Sequence, residues 1–434
     1  MNIPTVGAAA ANIVKYAMGY DFEYTNGMPI RYVGFPFPVA GQPKSVHHRY
    51  VFETNDVVSG KPMMTAIIDA LTKPLTEKEK FSGKPPEAVP EPRLLKPDTE
   101  ENLQQLFKDK DWTDYNPIIL PTEERVAAML KGTSQKPDRV IKVISWPGGA
   151  RSFTVEKAAV CAVMAGAKPE HFPLILAVAT AVPFGNSTSS MANMILVNGP
   201  VRNEVKMNFA GNVMGPHNEV NAVLGRVYTL MSKTAGGLHA GKTTFSSLGN
   251  NLQYNNLCIA ENEEALPAGW DPVHVQMGFK PTDSVVSVGT GWTYISSVGE
   301  VQRSYPAQFL MRDYMRSLAA MGGASVIMDP TVAALLKDTQ GFKTKGELSA
   351  WLADNVEKTV ASYWGNGVIS TFSAAMALQG LEPQATWIKS PPDTLIKPFN
   401  AKGIQVIVTG GGIQTTWFVT DFRVGRGTRV DDWR

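Results

Sequence analysis

The sequence predicts an α/β protein: a body with a mixed or mostly parallel sheet, preceded by an extended N-terminal arm. Three observations predict it. Short apolar runs such as Met194-Ile-Leu-Val and Ile404-Gln-Val-Ile-Val end in glycine turns, as buried strands do. Between such runs lie helical patterns; Val220, Val223, Leu224, Val227 and Met231 keep the three-and-four spacing of a helix with one buried face. The first 115 residues instead crowd Pro and Gly together, and Lys84 to Pro97 (KPPEAVPEPRLLKP) reads as an extended linker.

The totals fit this class. Hydrophobic residues make up 44% and charged residues 18% of 434, enough for a sizeable core and for two domains, or one with an extension. Lys and Arg number 41 against 39 Asp and Glu, and no basic stripe or tail stands out, so no nucleic-acid partner is expected. The apolar patch near the N-terminus has no cationic lead, is interrupted by Lys15 and is too short to span a bilayer. It reads as a helix packed on the body or as an oligomer arm, and no membrane partner is expected. Cys161 and Cys258 form neither a CxxC pair nor a disulfide framework; they read as reduced and structural, which favours a cytoplasmic location.

The domain reading is an arm over 1–115 and an α/β body over 116–434. In the arm, Met63 to Leu71 and a segment capped by Asp98 or Thr99 read as helices. An arm of this composition buries little apolar surface alone and is expected to wrap the body or a partner subunit, making a homo-oligomer. In the body, Ile118-Ile-Leu-Pro-Thr-Glu-Glu-Arg reads as a strand running into a helix. Helices follow at Thr154–Ala165 and Pro169–Val182, then strands at Met194–Val197 and Ser284–Val288. Val326-Ile-Met-Asp-Pro-Thr-Val-Ala-Ala resembles the Ile118 unit, and Ile404-Gln-Val-Ile-Val-Thr-Gly-Gly-Gly echoes Met194-Ile-Leu-Val-Asn-Gly-Pro. These echoes suggest similar halves, 116–275 and 276–434; chance likeness between short strand–helix units produces the same pattern.

The richest stretch runs from Asn208 to Glu264. Its helix starts at Pro216-His217-Asn218-Glu219 behind a Gly-containing loop, where free N–H groups and the helix dipole favour anions. A histidine there can stay neutral and move protons, so His217 is the expected proton carrier. Asn212, Asn218 and Asn221 are expected to orient a substrate carbonyl or carboxylate. Arg226 is expected to bind substrate or to pair with a carboxylate of the body. Glu261 and Glu263, alternating on one side of an extended segment, are the second acid/base or, with His274, ligands for a divalent metal or iron. The bland alternative is a solvated acidic loop.

Gly236-Gly-Leu-His-Ala-Gly-Lys242-Thr matches GxxxxGK[ST], but a helix precedes it and no good helix follows, so a phosphate loop is not expected. Lys242 remains a candidate cation for an anionic substrate. Ser325-Val-Ile-Met-Asp329 resembles an acidic magnesium strand only loosely. His171, in a first helical turn, reads as a neutral structural histidine. The Thr409-Gly-Gly-Gly412 loop either holds an anion or is a tight turn.

Several runs resemble the bacterial UGSC-type (seleno)protein family: Leu120-Pro-Thr-Glu-Glu-Arg-Val-Ala-Ala-Met-Leu, Val197-Asn-Gly-Pro-Val-Arg-Asn-Glu, Met214-Gly-Pro-His-Asn-Glu-Val-Asn-Ala-Val-Leu-Gly-Arg, Ala260-Glu-Asn-Glu-Glu and Val273-His-Val-Gln-Met-Gly-Phe. The resemblance implies a shared pattern at 214–226 and 260–263. The family takes its name from a Sec/Cys-Gly-Ser-Cys-like segment; this chain has no Gly-Ser-Cys, so a thiol redox role does not carry over.

The leading expectation is an enzyme acting on a small carboxylated or carbonyl-containing molecule by general acid–base chemistry, of lyase, hydratase or hydrolase type. The alternatives are a redox enzyme or subunit using a bound metal, cofactor or partner, and a non-catalytic assembly or binding subunit.

Overall fold

The computed structural model describes residues 3–18, 30–39, 42–77, 79–80, 92–146, 149–181, 191–240, 244, 246–298, 305–412 and 416–434. Lys84 to Glu91 of the expected linker, and Lys242, lie outside them.

The chain is α/β, with two sheets stacked between two helical layers. In the first sheet Ala192–Asn198 lies between Leu257–Ala260, which is parallel to it, and Val285–Gly291, which is antiparallel. The short strands Arg423–Val424 and Thr428–Arg429 pair with the outer side of Val285–Gly291. In the second sheet Ala324–Met328 lies between the parallel Ile404–Val408 and the antiparallel Thr416–Thr420, with Tyr294–Val298 beyond. Each sheet thus places an early strand centrally, a later parallel strand on one side and an antiparallel strand on the other.

Side-chain alternation fixes the layers. Met194, Leu196, Leu257 and Ile259 meet Ile327, Ile407 and Phe418 in a dry layer between the sheets. The opposite faces turn outward. Ile195, Val197, Cys258 and Ala260 pack beneath the helices Val155–Ala165, Phe172–Ala181 and Glu219–Thr234. Val326, Met328, Val406, Val408 and Trp417 pack beneath Ala307–Met315, Pro330–Asp338 and Lys345–Asn355. Strands buried on both faces explain why these runs read as continuously apolar.

Local chemistry sets the helix starts. Thr99, Thr122 and Thr154 accept N–H bonds from Asn102, Arg125 and Lys157. Gly166, left-handed at φ 88°, ends Val155–Ala165. Ile118–Leu120 is no strand. Pro117 and Pro121 remove donors on either side; Ile119 N donates to Met164 O, and Ile118 O accepts from Gln104.

The N-terminal residues form a small unit of their own. Val6–Ala10 is a strand parallel to Arg31–Phe35, and the helix expected in this segment spans 14–18 among the described residues. Gly7 lets the Tyr32 ring lie where a Cβ would come within 2.6 Å. Helices Lys44–Phe52 and Met63–Thr72 complete it around Val33, Met63 and Ala66. The expected arm reached residue 115, yet Glu100–Asp109 belongs with the body: Phe107 sits in its core, and Asp114 pairs with Arg226.

The Glu219–Thr234 helix lies tight against the segment that follows it. A Cβ on Gly225 would stand 1.6 Å from the Asn255 carbonyl oxygen. Asn256 locks the contact, donating to Gly225 O at 2.9 Å and Thr229 Oγ1 at 3.1 Å, and accepting from Asn193 N at 3.0 Å. Gly225→Ala is therefore expected to cost about 3 kcal/mol, read from urea unfolding. A loss below about 1 kcal/mol would mean that the helix can step away from this backbone.

Asp421 gives the fold a pH signature. Its Oδ1 accepts the N–H groups of Trp292 at 2.8 Å and Thr293 at 3.0 Å, while Oδ2 is buried without a partner. Burial pushes this carboxyl above its usual range, against the two N–H donors. The folded chain therefore holds this proton more tightly than the unfolded chain. The resulting stabilisation is full below the unfolded carboxylate range and is lost as pH rises through the folded value. Asp421→Asn keeps an acceptor for both N–H groups. It is expected to match the wild type in acid and to exceed it in stability at neutral pH, in paired urea titrations. Destabilisation at neutral pH that fades in acid would show instead that the carboxylate is charged and needed.

Candidate functional site

The C-terminal ends of the two parallel strand pairs converge, and the buried Arg202, Glu261, Asp329 and Lys345 lie there. Leu257–Ala260 runs into Glu261 and Asn262, which stitch the two sheets together. Glu261 N donates to Val197 O at 3.1 Å, and Asn262 N to Val408 O at 2.8 Å. Thr409 Oγ1 donates to Ala260 O at 2.7 Å, and Asn262 Nδ2 to Gly410 O at 3.0 Å. Strand ends from two similar units meeting in this way are a common place for a site in α/β folds.

Around this seam stand Glu261, Glu263 and Glu264 with Arg202, Lys345, Asn198 and His274. Glu261 is fully buried and fully used. Its Oε1 takes Lys345 Nζ at 2.5 Å; its Oε2 takes Asn198 Nδ2 at 2.7 Å and Val273 N at 2.8 Å. With both oxygens engaged, it anchors the seam structurally. Arg202, also buried, donates to Gly199 O at 2.9 Å and Glu261 O at 2.6 Å, and forks onto Glu264 with two 3.0 Å bonds. The guanidinium holds the Glu264 carboxyl below its usual range.

Glu263 is partly open, its side chain 13% exposed against 55% for Glu264. One oxygen accepts from Asn198 Nδ2 at 2.9 Å and Gly199 N at 2.8 Å; the other faces Arg202 at 3.2 Å. His274 Nδ1 lies 3.7 Å from Glu263 Oε1. Both His274 ring nitrogens and Asn198 Oδ1 are buried without a hydrogen-bond partner. Gly199 makes this corner possible: at φ 81°, a Cβ there would stand 2.1 Å from Asp283 O.

The expected metal set, Glu261, Glu263 and His274, is thus brought together. Among the described residues, however, no group of three or more His, Cys, Asp or Glu is arranged to hold a metal ion. The reason is local: Glu261 is neutralised by Lys345. Asp329 is committed as well, capping Pro330–Asp338 through Val332 N and accepting Thr416 N.

The asparagines expected around the helix start make hydrogen bonds within the loop that precedes it. Asn218, at the N-cap, turns its amide back to Asn212 O and accepts from Asn208 Nδ2. Asn221 bonds both the N–H and the C=O of Asn208, at 3.1 and 2.8 Å. Asn212 is left-handed at φ 58°, a conformation asparagine tolerates in turns. Together they tie a loop that rests on the opposite half: Gly410 N donates to Phe209 O at 2.8 Å, and a Cβ on Gly411 would meet Gly211 N at 2.8 Å. The Thr409–Gly412 turn is thus a close backbone approach. His217 stands exposed and makes no hydrogen bond among the described residues. Arg226 pairs with a body carboxylate, meeting both Asp114 oxygens at 2.8 and 3.0 Å.

A second polar group, which no local motif announces, gathers on Asp111: Lys233 bonds one oxygen and His239 Nδ1 the other, the latter at 2.6 Å. His171 is a buried structural histidine accepting Lys168 N at 3.2 Å, and burial lowers its pKa. Both cysteines are buried and free; burial pushes Cys161 to about 11 and Cys258 to about 12, which keeps them as thiols. Among the described residues no helix is long and apolar enough to cross a membrane. Comparisons with family models, with curated proteins and with solved structures give no match.

Proposed function

We propose that the chain is an enzyme acting on a small carboxylated or carbonyl-containing molecule by general acid–base chemistry, of lyase, hydratase or hydrolase type. One observation carries the reading: beside Glu263 at the strand ends, His274 Nδ1, His274 Nε2 and Asn198 Oδ1 are buried with no partner. Each such group costs about 1–3 kcal/mol. Three of them around a partly open carboxylate suit a place that a substrate's polar atoms complete.

The roles follow from chemistry. Glu263 takes a proton from the carbon next to a carbonyl, or from an attacking water, and His274 returns one to the product. Arg202 orients Glu263, and the Asn198 amide holds it from the other side. Positive charge beside the pair favours the negative charge that develops on the substrate. The resemblance to UGSC-type proteins implies a shared pattern at 214–226 and 260–263, the second of which contains Glu263.

The test is solvent-deuterium uptake into a panel of keto, hydroxy and amino acids, followed by NMR. Uptake that needs Glu263 and not His217 supports the reading. Uptake that needs His217 and survives Glu263→Gln contradicts it.

A further inference from the structure

We infer that the group taken up beside Glu263 is the amine of an amino carbonyl compound. This rests on the reading of Glu263 and His274 as the acid–base pair. It narrows the substrates from carboxylated or carbonyl-containing molecules to those with an amino group beside a carbonyl.

A substrate carboxylate finds no cation here to hold it. Among the described residues the site has two cations, Arg202 and Lys345, 3% and 1% exposed. A guanidinium has five N–H groups, and all five of Arg202 are spent. Nε donates to Gly199 O, one terminal nitrogen to Glu261 O and Glu264, and the other to Glu264 and, at 3.2 Å, to Glu263. Lys345 Nζ is bonded to the Glu261 oxygen that Asn198 does not use. Arg202 still lends its charge to the reaction, but it has no N–H left to grip a carboxylate. Three carboxylates, Glu261, Glu263 and Glu264, stand against these two cations. An ammonium supplies the missing positive charge, and a buried charge needs such a partner.

The unspent groups have the matching polarity. Asn198 Nδ2 donates to Glu261 at 2.7 Å and to Glu263 at 2.9 Å, which fixes the other amide atom as the oxygen, an acceptor. That oxygen is buried without a partner. A neutral His274 ring has one acceptor nitrogen and one N–H, and both nitrogens are buried unpaired. Two acceptors are thus unmet against one donor, with the partly open Glu263 beside them, 3.7 Å from His274 Nδ1. An amino group has N–H groups for both acceptors, and the His274 N–H is left for the neighbouring carbonyl oxygen. A keto oxygen in place of the amine donates nothing, and a hydroxyl donates once. Either leaves a buried acceptor unpaired, the loss by which a polar site rejects an analogue.

The test uses the full chain at neutral pH and matched sets of 2-amino, 2-hydroxy and 2-keto amides. Alaninamide, lactamide and pyruvamide form the first set, and the others carry branched, aromatic and charged side chains. Amides take the carboxylate charge out of the comparison. Binding is read from the His274 ring nitrogens by NMR, and chemistry from deuterium uptake. The amino member of at least one set is expected to bind at least about tenfold more tightly than its hydroxy and keto counterparts. A hydroxy or keto amide that binds as tightly as its amino counterpart overturns the inference; if its deuterium uptake still needs Glu263, the acid–base reading stands. Preferential binding of the amino member without Glu263-dependent uptake supports the amine and contradicts the acid–base reading. No movement of the His274 nitrogens with any member overturns both.

Discussion

Lys345→Ala is expected to destabilise the protein by about 3–5 kcal/mol, the cost of stranding a buried charge. Lys345 and Glu261 are 1% and 0% exposed, and their 2.5 Å bond sits where the two sheets join. Removing the ammonium leaves Glu261 with only Asn198 Nδ2 and two backbone N–H groups, those of Val273 and Val408. Urea unfolding at neutral pH reads the loss. The double variant Lys345→Met/Glu261→Gln, which removes both charges, is expected to regain most of it, since desolvating an ion pair nearly offsets its attraction. A single-variant loss below about 1 kcal/mol would show that water reaches the pair.

The second large effect is on turnover. Glu263→Gln is expected to lower it by about 100-fold or more, the usual contribution of a positioned acid or base. The substitution keeps the shape and one acceptor for Asn198 Nδ2 and Gly199 N, so the fold is expected to survive. Since the loss is chemical, KM is expected to change much less than kcat. His217→Ala is expected to retain wild-type turnover because its ring stands exposed. A loss in His217→Ala with turnover kept in Glu263→Gln would place the chemistry at the helix start instead.

Much of this architecture was legible because local rules decide it. Thr154 before Val155–Ala165 and Gly166 after it are ordinary cap signals, and the structure uses both. The apolar spacing from Val220 to Met231 marked the central helix, and the density of Asn and Glu marked 261–263 as special. Other features were hidden because their causes are distant in sequence. Lys345 meets Glu261 across 84 positions, and nothing near residue 345 announces it. The strands that echo each other at Met194–Pro200 and Ile404–Gly412 occupy different positions in their sheets. By strand order Ile404–Val408 corresponds to Leu257–Ala260, and Ala324–Met328 to Ala192–Asn198. Sheet position is set by pairing register, which short sequence likeness does not record. At the helix start, which reads as an anion site, Asn208, Asn218 and Asn221 fasten the loop, a pairing that their spacing alone does not reveal.

The most direct test of the strand-end site is ring-nitrogen NMR of the six histidines, with His274 assigned through a His274→Gln variant. Small keto, hydroxy and amino acids are added in turn. The account predicts that a binding compound shifts the His274 nitrogens and leaves His217 in place. A compound that shifts His217 while His274 stays unmoved would contradict it.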